Sequence, residues 1–322
     1  MIISKTPLRM SFFGGGSDLP AYYNHFPGSV ISSSIDKYVY VIIKERYDDK
    51  IYVNYSKKEI VDNVDEIQHD LVRESLKMAN INSPVEITTL SDITSKGSGL
   101  GSSSAITVGL LNAFYQYQGV ILSKEDLAKK ACEIEINICN HPIGKQDQYG
   151  CALGGLNRLY FNKDRDVTFK KINFKLSLLK KNLFLINTRI TRDANIILKN
   201  QSENASEVMK ENISLVENCD KFENILNGTD SQFDDLGILL NDYWKIKKKM
   251  SKKISNEQID TLYNKGIDAG ATGGKVLGAG GGGYILFYVP KQNHRKFNLL
   301  FEKDIENFAF ENHGTRIVYN DN

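Results

Sequence analysis

The sequence predicts a two-domain protein in which α-helices and β-strands are mixed. Its 322 residues suggest roughly two domains. The first half alternates short β-rich runs with stretches of helical periodicity, which is typical of a mixed α/β sandwich. The second half is rich in helical periodicity and closes with strands. We place the boundary so that residues 1–175 form the first domain and residues 176–322 the second.

The elements of the first half follow from composition and periodicity. Residues 1–13 predict a strand, and the β-branched and aromatic segment 29–44 predicts two strands around a turn near Asp36 and Lys37. Further strands are predicted at 51–55, 85–90 and 156–161, and helices at 64–80 and from Ser123 to about Cys139, before Pro142. The stretch Gly150–Gly155 is predicted to be loosely structured.

The second half is predicted to contain three helical stretches and a second glycine cluster. The helices span about 192–226, 231–250 and 256–268, and strands are predicted at 183–187, 284–289 and 316–319. Five of the six residues Gly278–Gly283 are glycine, and a β-rich run follows them. In a dinucleotide-binding fold such glycines follow a strand and open a helix, so that interpretation fails. The cluster favours a backbone close to a ligand over a simple bulged turn.

Composition indicates an ordinary globular protein. The 41 basic and 39 acidic residues give a net charge of +2, which points to neither nucleic acid nor membrane as a partner. No signal-peptide pattern is present, and the four cysteines lack metal-ligand spacing, so we expect a reducing, cytoplasmic location. The basic segment Lys245–Lys253 is interpreted as the solvated face of a helix, with contact to an anionic substrate as the alternative.

The segment Gly97–Ala105 is the strongest functional signal. Three glycines alternate with other residues, three serines follow, and an apolar run with helical spacing begins at Ala105. The N–H groups and the dipole at such a helix start favour a phosphate, and glycines allow close approach of the backbone. No lysine follows Gly101, so the segment is not a Walker loop. A flexible loop before a capped helix is the simpler alternative.

Phosphoryl transfer also needs a metal ion and a group that orients or deprotonates the nucleophile. Glu133 and Glu135 lie among isoleucines, so at least one could point inward and supply an oxygen ligand for Mg²⁺. Asp147, in a polar segment after Pro142, is a candidate base or a turn residue. Arg9 lies in an apolar strand and needs an anionic partner, and Asp18 follows three glycines and could accept sugar hydroxyls.

Taken in order, three segments closely resemble the GHMP small-molecule kinase superfamily. They are Thr6–Asp18, Gly97–Ala105 and Leu277–Gly283, and together they extend over nearly the whole chain. The resemblance implies an α+β fold, with an N-terminal domain like domain 2 of ribosomal protein S5 and a ferredoxin-like C-terminal domain. It also implies that ATP and a small-molecule substrate meet in the cleft between the domains. Within the superfamily the chain is most similar to sugar-1-kinases, D-glycero-D-manno-heptose 7-phosphate kinases in particular.

The resemblance assigns roles by matching motif positions. Asp147 would face the anomeric hydroxyl as base or orienter, Arg9 would steady Asp147 and the transferring phosphate, and Ser103 and Glu135 would hold Mg²⁺. The nucleotide would lie against Gly97, Ser98, Gly99, Leu100, Gly101, Ser102, Ser103 and Ser104. The sugar phosphate would contact Gly15, Gly16, Ser17, Asp18, Arg192, Gly281 and Gly282, with Arg192 on its distal phosphate.

The middle segment departs from the family pattern, because Thr94-Ser95-Lys96 stands where a proline is usual. This departure bears on the detailed conformation of the loop more than on the family assignment, and Lys96 could add a phosphate contact. The expected reaction is phosphorylation of C1 of a heptose 7-phosphate. Alternatives are another sugar-1-kinase of the fucose or galactose type, a silent sugar sensor, and an ATP-dependent decarboxylase of the same superfamily. The oligomeric state is left open.

Overall fold

A computed structural model describes residues 1–93, 97–163, 166–192, 194–203, 208–228 and 233–321. The predicted contact of Lys96, with Thr94 and Ser95 beside it, lies outside the described residues. In the described part of the chain, no helix combines the length and apolar character that crossing a membrane requires.

Strands and helices alternate through the first half, and helices dominate the second. The strands are β1 (Ile2–Phe13), β2 (Gly28–Glu45), β3 (Ile51–Asn54), β4 (Lys58–Val61), β5 (Val85–Ser91), β6 (Leu156–Phe161), β7 (Thr168–Lys171), β8 (Leu183–Asn187), β9 (Gly273–Val276), β10 (Tyr284–Tyr288), β11 (Ile305–Glu306) and β12 (Arg316–Asn320). The α-helices are α1 (Pro20–Tyr23), α2 (Asp70–Met78), α3 (Ser102–Tyr117), α4 (Lys124–Cys132), α5 (Gln146–Leu153), α6 (Leu176–Lys180), α7 (Ala194–Glu203), α8 (Met209–Leu226), α9 (Asp235–Lys249), α10 (Glu257–Asp268) and α11 (His294–Phe301).

The first sheet has eight strands in the order β12-β1-β2-β5-β3-β4, with β6 pairing β2 and β7 pairing β6. The prediction of two strands over 29–44 is wrong, because β2 is one continuous strand. Its pairing with β1 passes from Pro7–Tyr38 to Leu8–Ile35, so Asp36 and Lys37 form a bulge instead of a turn. The bulge lets β2 change partner, from β6 along its first half to β5 along its second.

Helix α3 packs across β1 and β2 and brings the glycine segment against the sheet. Its buried side chains include Val108, Leu111 and Phe114. The Ser4 hydroxyl donates to the Gly109 carbonyl at 2.8 Å, and a Cβ on Gly109 would lie 3.1 Å from the Thr6 hydroxyl. The helix therefore sits close enough to the sheet to fix the position of its first turn.

The prediction of loose structure over Gly150–Gly155 is wrong, because α5 covers most of it. On the sequence alone, Asp147 is either a candidate base or a turn residue. In the structure it lies in the first turn of this helix. A Cβ on Gly150 would lie 2.9 Å from the Ser32 hydroxyl and 3.1 Å from Arg9 Cγ. Gly150 therefore serves close packing of α5 on β1 and β2, and it does not break the helix.

The second sheet has four antiparallel strands in the order β11-β8-β10-β9. The last strand, β12, leaves this half and pairs with β1 at the edge of the first sheet. The two halves meet through aromatic rings. The ring centre of Phe222 lies 5.3 Å from that of Phe12 and 5.1 Å from that of Phe13, and Tyr243 packs edge-on against Phe13. The cleft between the halves opens beside this contact. The boundary at residue 175 stays a prediction.

Candidate active site

The glycine segment forms a tight loop that ends where α3 begins. Gly97, Gly99 and Gly101 have φ of 74°, 76° and 76°, and α3 starts at Ser102 as expected. A Cβ on Gly99 would lie 2.5 Å from the Leu277 carbonyl oxygen. The loop therefore touches the second glycine cluster directly, and the N–H groups at the start of α3 face the cleft.

A buried carboxylate lies beside the first turn of α3. After α4 the chain forms a wider, π-helical turn over Glu133–Ile138, which buries both Ile134 and Glu135. The hydroxyls of Ser103 and Ser104 donate to Glu135 Oε2 at 3.0 and 3.1 Å. Burial raises the pKa of Glu135 to about 7, against the lowering effect of the two serine hydrogen bonds.

The second carboxylate oxygen, Glu135 Oε1, is buried without a hydrogen-bond partner among the described residues. An unpartnered buried carboxylate oxygen is costly, and a cation beside it would remove that cost. Carboxylate and hydroxyl oxygens are the ligands that Mg²⁺ prefers, so Glu135 and Ser103 fit such an ion.

An arginine–aspartate pair stands at the centre of the cleft. Arg9 on β1 donates from Nε and Nη2 to the two carboxylate oxygens of Asp147, at 2.9 and 2.7 Å. Its third nitrogen, Nη1, donates to the Gly99 carbonyl at 2.7 Å. Arg9 is only 3% exposed, whereas the Asp147 side chain is 27% exposed. This two-point pair holds Asp147 in one orientation while leaving it accessible to a ligand.

A further carboxylate beside the cleft, that of Asp18, is buried among hydrogen-bond donors. It accepts from the N–H of Gly16 and from both the main chain and the side-chain amide of Gln146, at 2.9–3.2 Å. Burial raises its pKa, and the nearby Asp147 raises it further. A Cβ on Gly144 would lie 2.0 Å from Asp18 Oδ2, so only glycine fits there.

Two adjoining cavities meet at the Arg9–Asp147 pair. The larger has a volume of about 590 Å³ and is lined by the glycine loop, Ser102–Ser104, Thr191 and Arg192. The smaller, of about 50 Å³, is lined by Gly15, Gly16, Asp18, Gln146 and Lys247. The residues that line both are Arg9, Ile143, Asp147, Leu198, Gly278 and Ala279.

Some residues that the sequence places in the site do not line either cavity and lie behind the residues that do. The Ser17 hydroxyl donates to the carbonyls of Gly14 and Ser29 and supports the turn. Leu100 is fully buried, and its carbonyl accepts from the Arg9 N–H. Neither residue lines either cavity.

The second glycine cluster reaches the cleft through Gly278 and Ala279. Gly281 packs against Arg192 and Ile197, and a Cβ on Gly282 would lie 2.5 Å from the Ile190 carbonyl. Neither Gly281 nor Gly282 lines either cavity. Arg192 lines the larger cavity, on the side of the glycine loop.

The basic segment Lys245–Lys253 is not uniformly solvated, so the interpretation as a solvated face is wrong for Lys247. Lys245 is exposed and pairs with Asp242, but Lys247 is 4% exposed and reaches the smaller cavity. The sequence contains a pattern that indicates this burial, because Leu236, Leu240 and Lys247 fall on one face of the helix. Because lysine recurs throughout Lys245–Lys253, this periodicity is not apparent in the sequence.

Comparisons with known proteins agree with this architecture. The family description "GHMP kinases N terminal domain" matches residues 53–155. A D-glycero-alpha-D-manno-heptose 7-phosphate kinase from Campylobacter jejuni is 30% identical over 98% of each chain. A mevalonate kinase from Saccharolobus solfataricus is 25% identical over 89% of each chain.

The solved structures extend the likeness to the whole fold. A structure described as a D-glycero-D-manno-heptose 1-phosphate kinase from Bacteroides thetaiotaomicron superposes with a TM-score of 0.74 at 23% identity. It covers 99% of this chain and 100% of its own. The expected α+β, two-domain kinase fold is confirmed.

Proposed function

Because the chain belongs to the GHMP kinase family, we propose that it transfers the γ-phosphoryl group of ATP to the C1 hydroxyl of D-glycero-D-manno-heptose 7-phosphate, giving the 1,7-bisphosphate. The coarser activity needs no proposal: the protein is a phosphotransferase that acts on an alcohol group. ATP is the phosphoryl donor expected throughout the family.

One observation carries the proposal: Asp147 and Arg9 stand where the larger and the smaller cavity meet. A nucleotide whose phosphates lie against the glycine loop would direct its terminal phosphate toward this junction. An alcohol held in the smaller cavity would reach the same point from the other side. Such an arrangement would bring donor and acceptor together, and positioning of this kind supplies much of the acceleration in phosphoryl transfer.

We assign the chemical step to Asp147. Its carboxylate accepts a hydrogen bond from the C1 hydroxyl and takes the proton as the hydroxyl oxygen bonds to the γ-phosphorus. The bond from that phosphorus to the β,γ-bridging oxygen breaks, and ADP leaves with the bond's electrons. Arg9 keeps Asp147 oriented through two hydrogen bonds and offsets the negative charge that gathers on the transferring group.

We assign Mg²⁺ to Glu135 and Ser103. The buried oxygen of Glu135 that lacks a protein partner supports this assignment. When bound, the ion would neutralise phosphate charge and fix the nucleotide's orientation.

The sugar is proposed from the Campylobacter jejuni relative, which is 30% identical over nearly the full length. Asp18, with Gly15 and Gly16 beside it, offers a carboxylate that accepts hydrogen bonds from ring hydroxyls. Gly281, Gly282, Ser17 and Leu100 would act through the backbone that supports these walls.

The test is consumption of ATP by the purified protein against a panel of acceptors: heptose 7-phosphate, heptose, fucose, galactose and mevalonate. The proposal expects the highest kcat/KM with heptose 7-phosphate. Turnover of fucose or galactose alone would indicate another sugar-1-kinase. Sugar binding without ADP release under any condition would identify a silent sensor and refute the proposal.

A further inference from the structure

The chain that leaves the π-helical turn after α4 carries a thiol and an imidazole with one residue between them. The N–H of Cys139 donates to the Ile134 carbonyl at 2.8 Å. The N–H of His141 donates to the Glu135 carbonyl at 2.9 Å. Between them, Asn140 has a φ of 53°, a left-handed conformation that asparagine tolerates, and it turns the chain back. The main chain therefore holds the thiol and the imidazole close to one another.

Helix α2 adds a carboxylate to this pair. Asp70 is the first residue of α2, and its Oδ2 lies 3.1 Å from His141 Nε2. One carboxylate oxygen of Asp70, the sulfur of Cys139 and one ring nitrogen of His141 all lie within 4.8 Å of one another. Tetrahedral zinc holds such ligand atoms about 3.4–3.6 Å apart, so side-chain movements on the order of 1 Å would close the three around an ion.

These donor atoms suit zinc better than the Mg²⁺ assigned to the nucleotide. Mg²⁺ takes oxygen ligands, whereas thiolate sulfur and imidazole nitrogen prefer Zn²⁺ and similar transition metals. A thiolate, a neutral imidazole and a carboxylate together carry two negative charges, which match the charge of a divalent cation. Three protein ligands leave the fourth tetrahedral position for water or another small ligand.

The surroundings give an ion access and give the carboxylate outer partners. The side chains of His141 and Asp70 are 23% and 44% exposed, so solvent reaches both. Asp70 Oδ1 accepts from the Leu71 N–H at 2.8 Å and lies 3.9 Å from His69 Nδ1. That nitrogen is buried and has no hydrogen-bond partner among the residues that the structure describes. An N–H beside the second oxygen of a ligating carboxylate orients the ligand and strengthens metal binding.

We propose that Asp70, Cys139 and His141 bind one Zn²⁺ ion, at a site that shares no ligand with the proposed magnesium site. His141 also lines the larger cavity, so the ion would lie at the margin of that cavity and would fasten α2 to the chain that leads into α5. No usual zinc motif marks the site in the sequence, because a single residue separates the thiol from the imidazole and the third ligand comes from α2.

The probe is Co²⁺, titrated into the full-length, reduced protein after bound metal has been removed. A bond between Co²⁺ and a thiolate gives a charge-transfer band in the near ultraviolet, and an ion held by oxygen ligands alone does not. We expect one equivalent of Co²⁺ to produce the band and Zn²⁺ to abolish it by displacement. A large excess of Mg²⁺ should leave the band unchanged, because Mg²⁺ competes poorly for sulfur and nitrogen.

Two alanine variants assign the band to a residue. Cys139 is partly exposed, whereas Cys132, Cys151 and Cys219 are buried, so Cys132→Ala is the matched control for Cys139→Ala. Cys139→Ala should lose the band and weaken Zn²⁺ binding at least about 100-fold, since loss of an outer partner alone costs roughly 10- to 100-fold. Cys132→Ala should keep the band and bind Zn²⁺ within about twofold of the wild type.

The outcomes are independent of the kinase proposal, which depends on turnover of ATP and sugar. A wild-type protein that gives no band, or a band that persists in Cys139→Ala, would overturn the zinc site and leave the kinase proposal standing. If Cys139→Ala does not fold, the wild-type titration still decides whether a thiolate binds the ion. Asp70→Asn then replaces it as the variant, and an unchanged Zn²⁺ affinity in Asp70→Asn would overturn the assignment.

Discussion

Replacement of Glu135 by glutamine should change how stability depends on pH in metal-free protein. Burial raises the pKa of Glu135 from its ordinary 4.5 to about 7, so the folded state binds this proton more tightly than the unfolded state does. Its contribution is therefore fully present at low pH and is lost as pH rises toward and past 7. A glutamine side chain does not titrate in this pH range, so the stability of Glu135→Gln should not fall in this way as pH rises.

The magnitude follows from the pKa change. At about 1.4 kcal/mol for each pKa unit, the full effect is roughly 3 kcal/mol, and most of it falls between pH 5 and pH 8. For a chain of 322 residues that corresponds to a melting-temperature difference of roughly 4 °C. The side chain is fully buried, so solvent screening reduces the value little.

The assay is thermal unfolding in EDTA at pH 5 and pH 8, with Glu133→Gln as control because Glu133 is exposed two residues away. The difference in unfolding free energy between Glu135→Gln and wild type should move in favour of the variant by roughly 2–3 kcal/mol from pH 5 to pH 8. Added Mg²⁺ and an ATP analogue should stabilise wild type more than the variant. Parallel pH profiles for wild type and Glu135→Gln would refute the reasoning.

Two further predictions concern the rest of the cleft. Asp147→Asn should lower kcat at least roughly 100-fold while the ATP analogue still binds near normally, since the variant loses proton acceptance and little else; full activity would exclude Asp147 as the base. Gly99→Ala and Gly119→Ala both place alanine at φ near +75°, but only the Cβ at Gly99 meets backbone, the Leu277 carbonyl at 2.5 Å. Both variants should lose about 1 kcal/mol or more of stability, and only Gly99→Ala should weaken nucleotide affinity; equal nucleotide affinities would contradict this account of the loop.

Local patterns predicted the elements that carry the strongest chemistry. The glycine–serine run could be placed before a helix because its residues combine positive-φ positions, N-terminal hydroxyls and an apolar periodicity. The need of Arg9 for an anionic partner followed from its apolar strand, and the structure supplies Asp147. That residue comes from a helix 138 positions away, so the pairing itself depended on the family resemblance.

Features that depend on tertiary packing were missed or misjudged. Gly150 looks like a helix breaker in sequence, yet it lies inside α5 because only glycine fits against Ser32 and Arg9. The Asp36–Lys37 pair looks like a turn, but β2 continues through it because different neighbours pair with its two halves. Lys247 was hidden in a lysine run, and its burial is decided by which stripe of α9 meets the first domain.

The most direct test of the central claim is ³¹P and ¹³C NMR of the product formed from ATP and heptose 7-phosphate. We expect a new phosphate ester whose phosphorus couples to the anomeric carbon, formed in equal amount with ADP. An unchanged sugar, or a newly added phosphate on any carbon other than C1, would contradict the proposal that Asp147 accepts the proton of the C1 hydroxyl as it attacks the terminal phosphate of ATP.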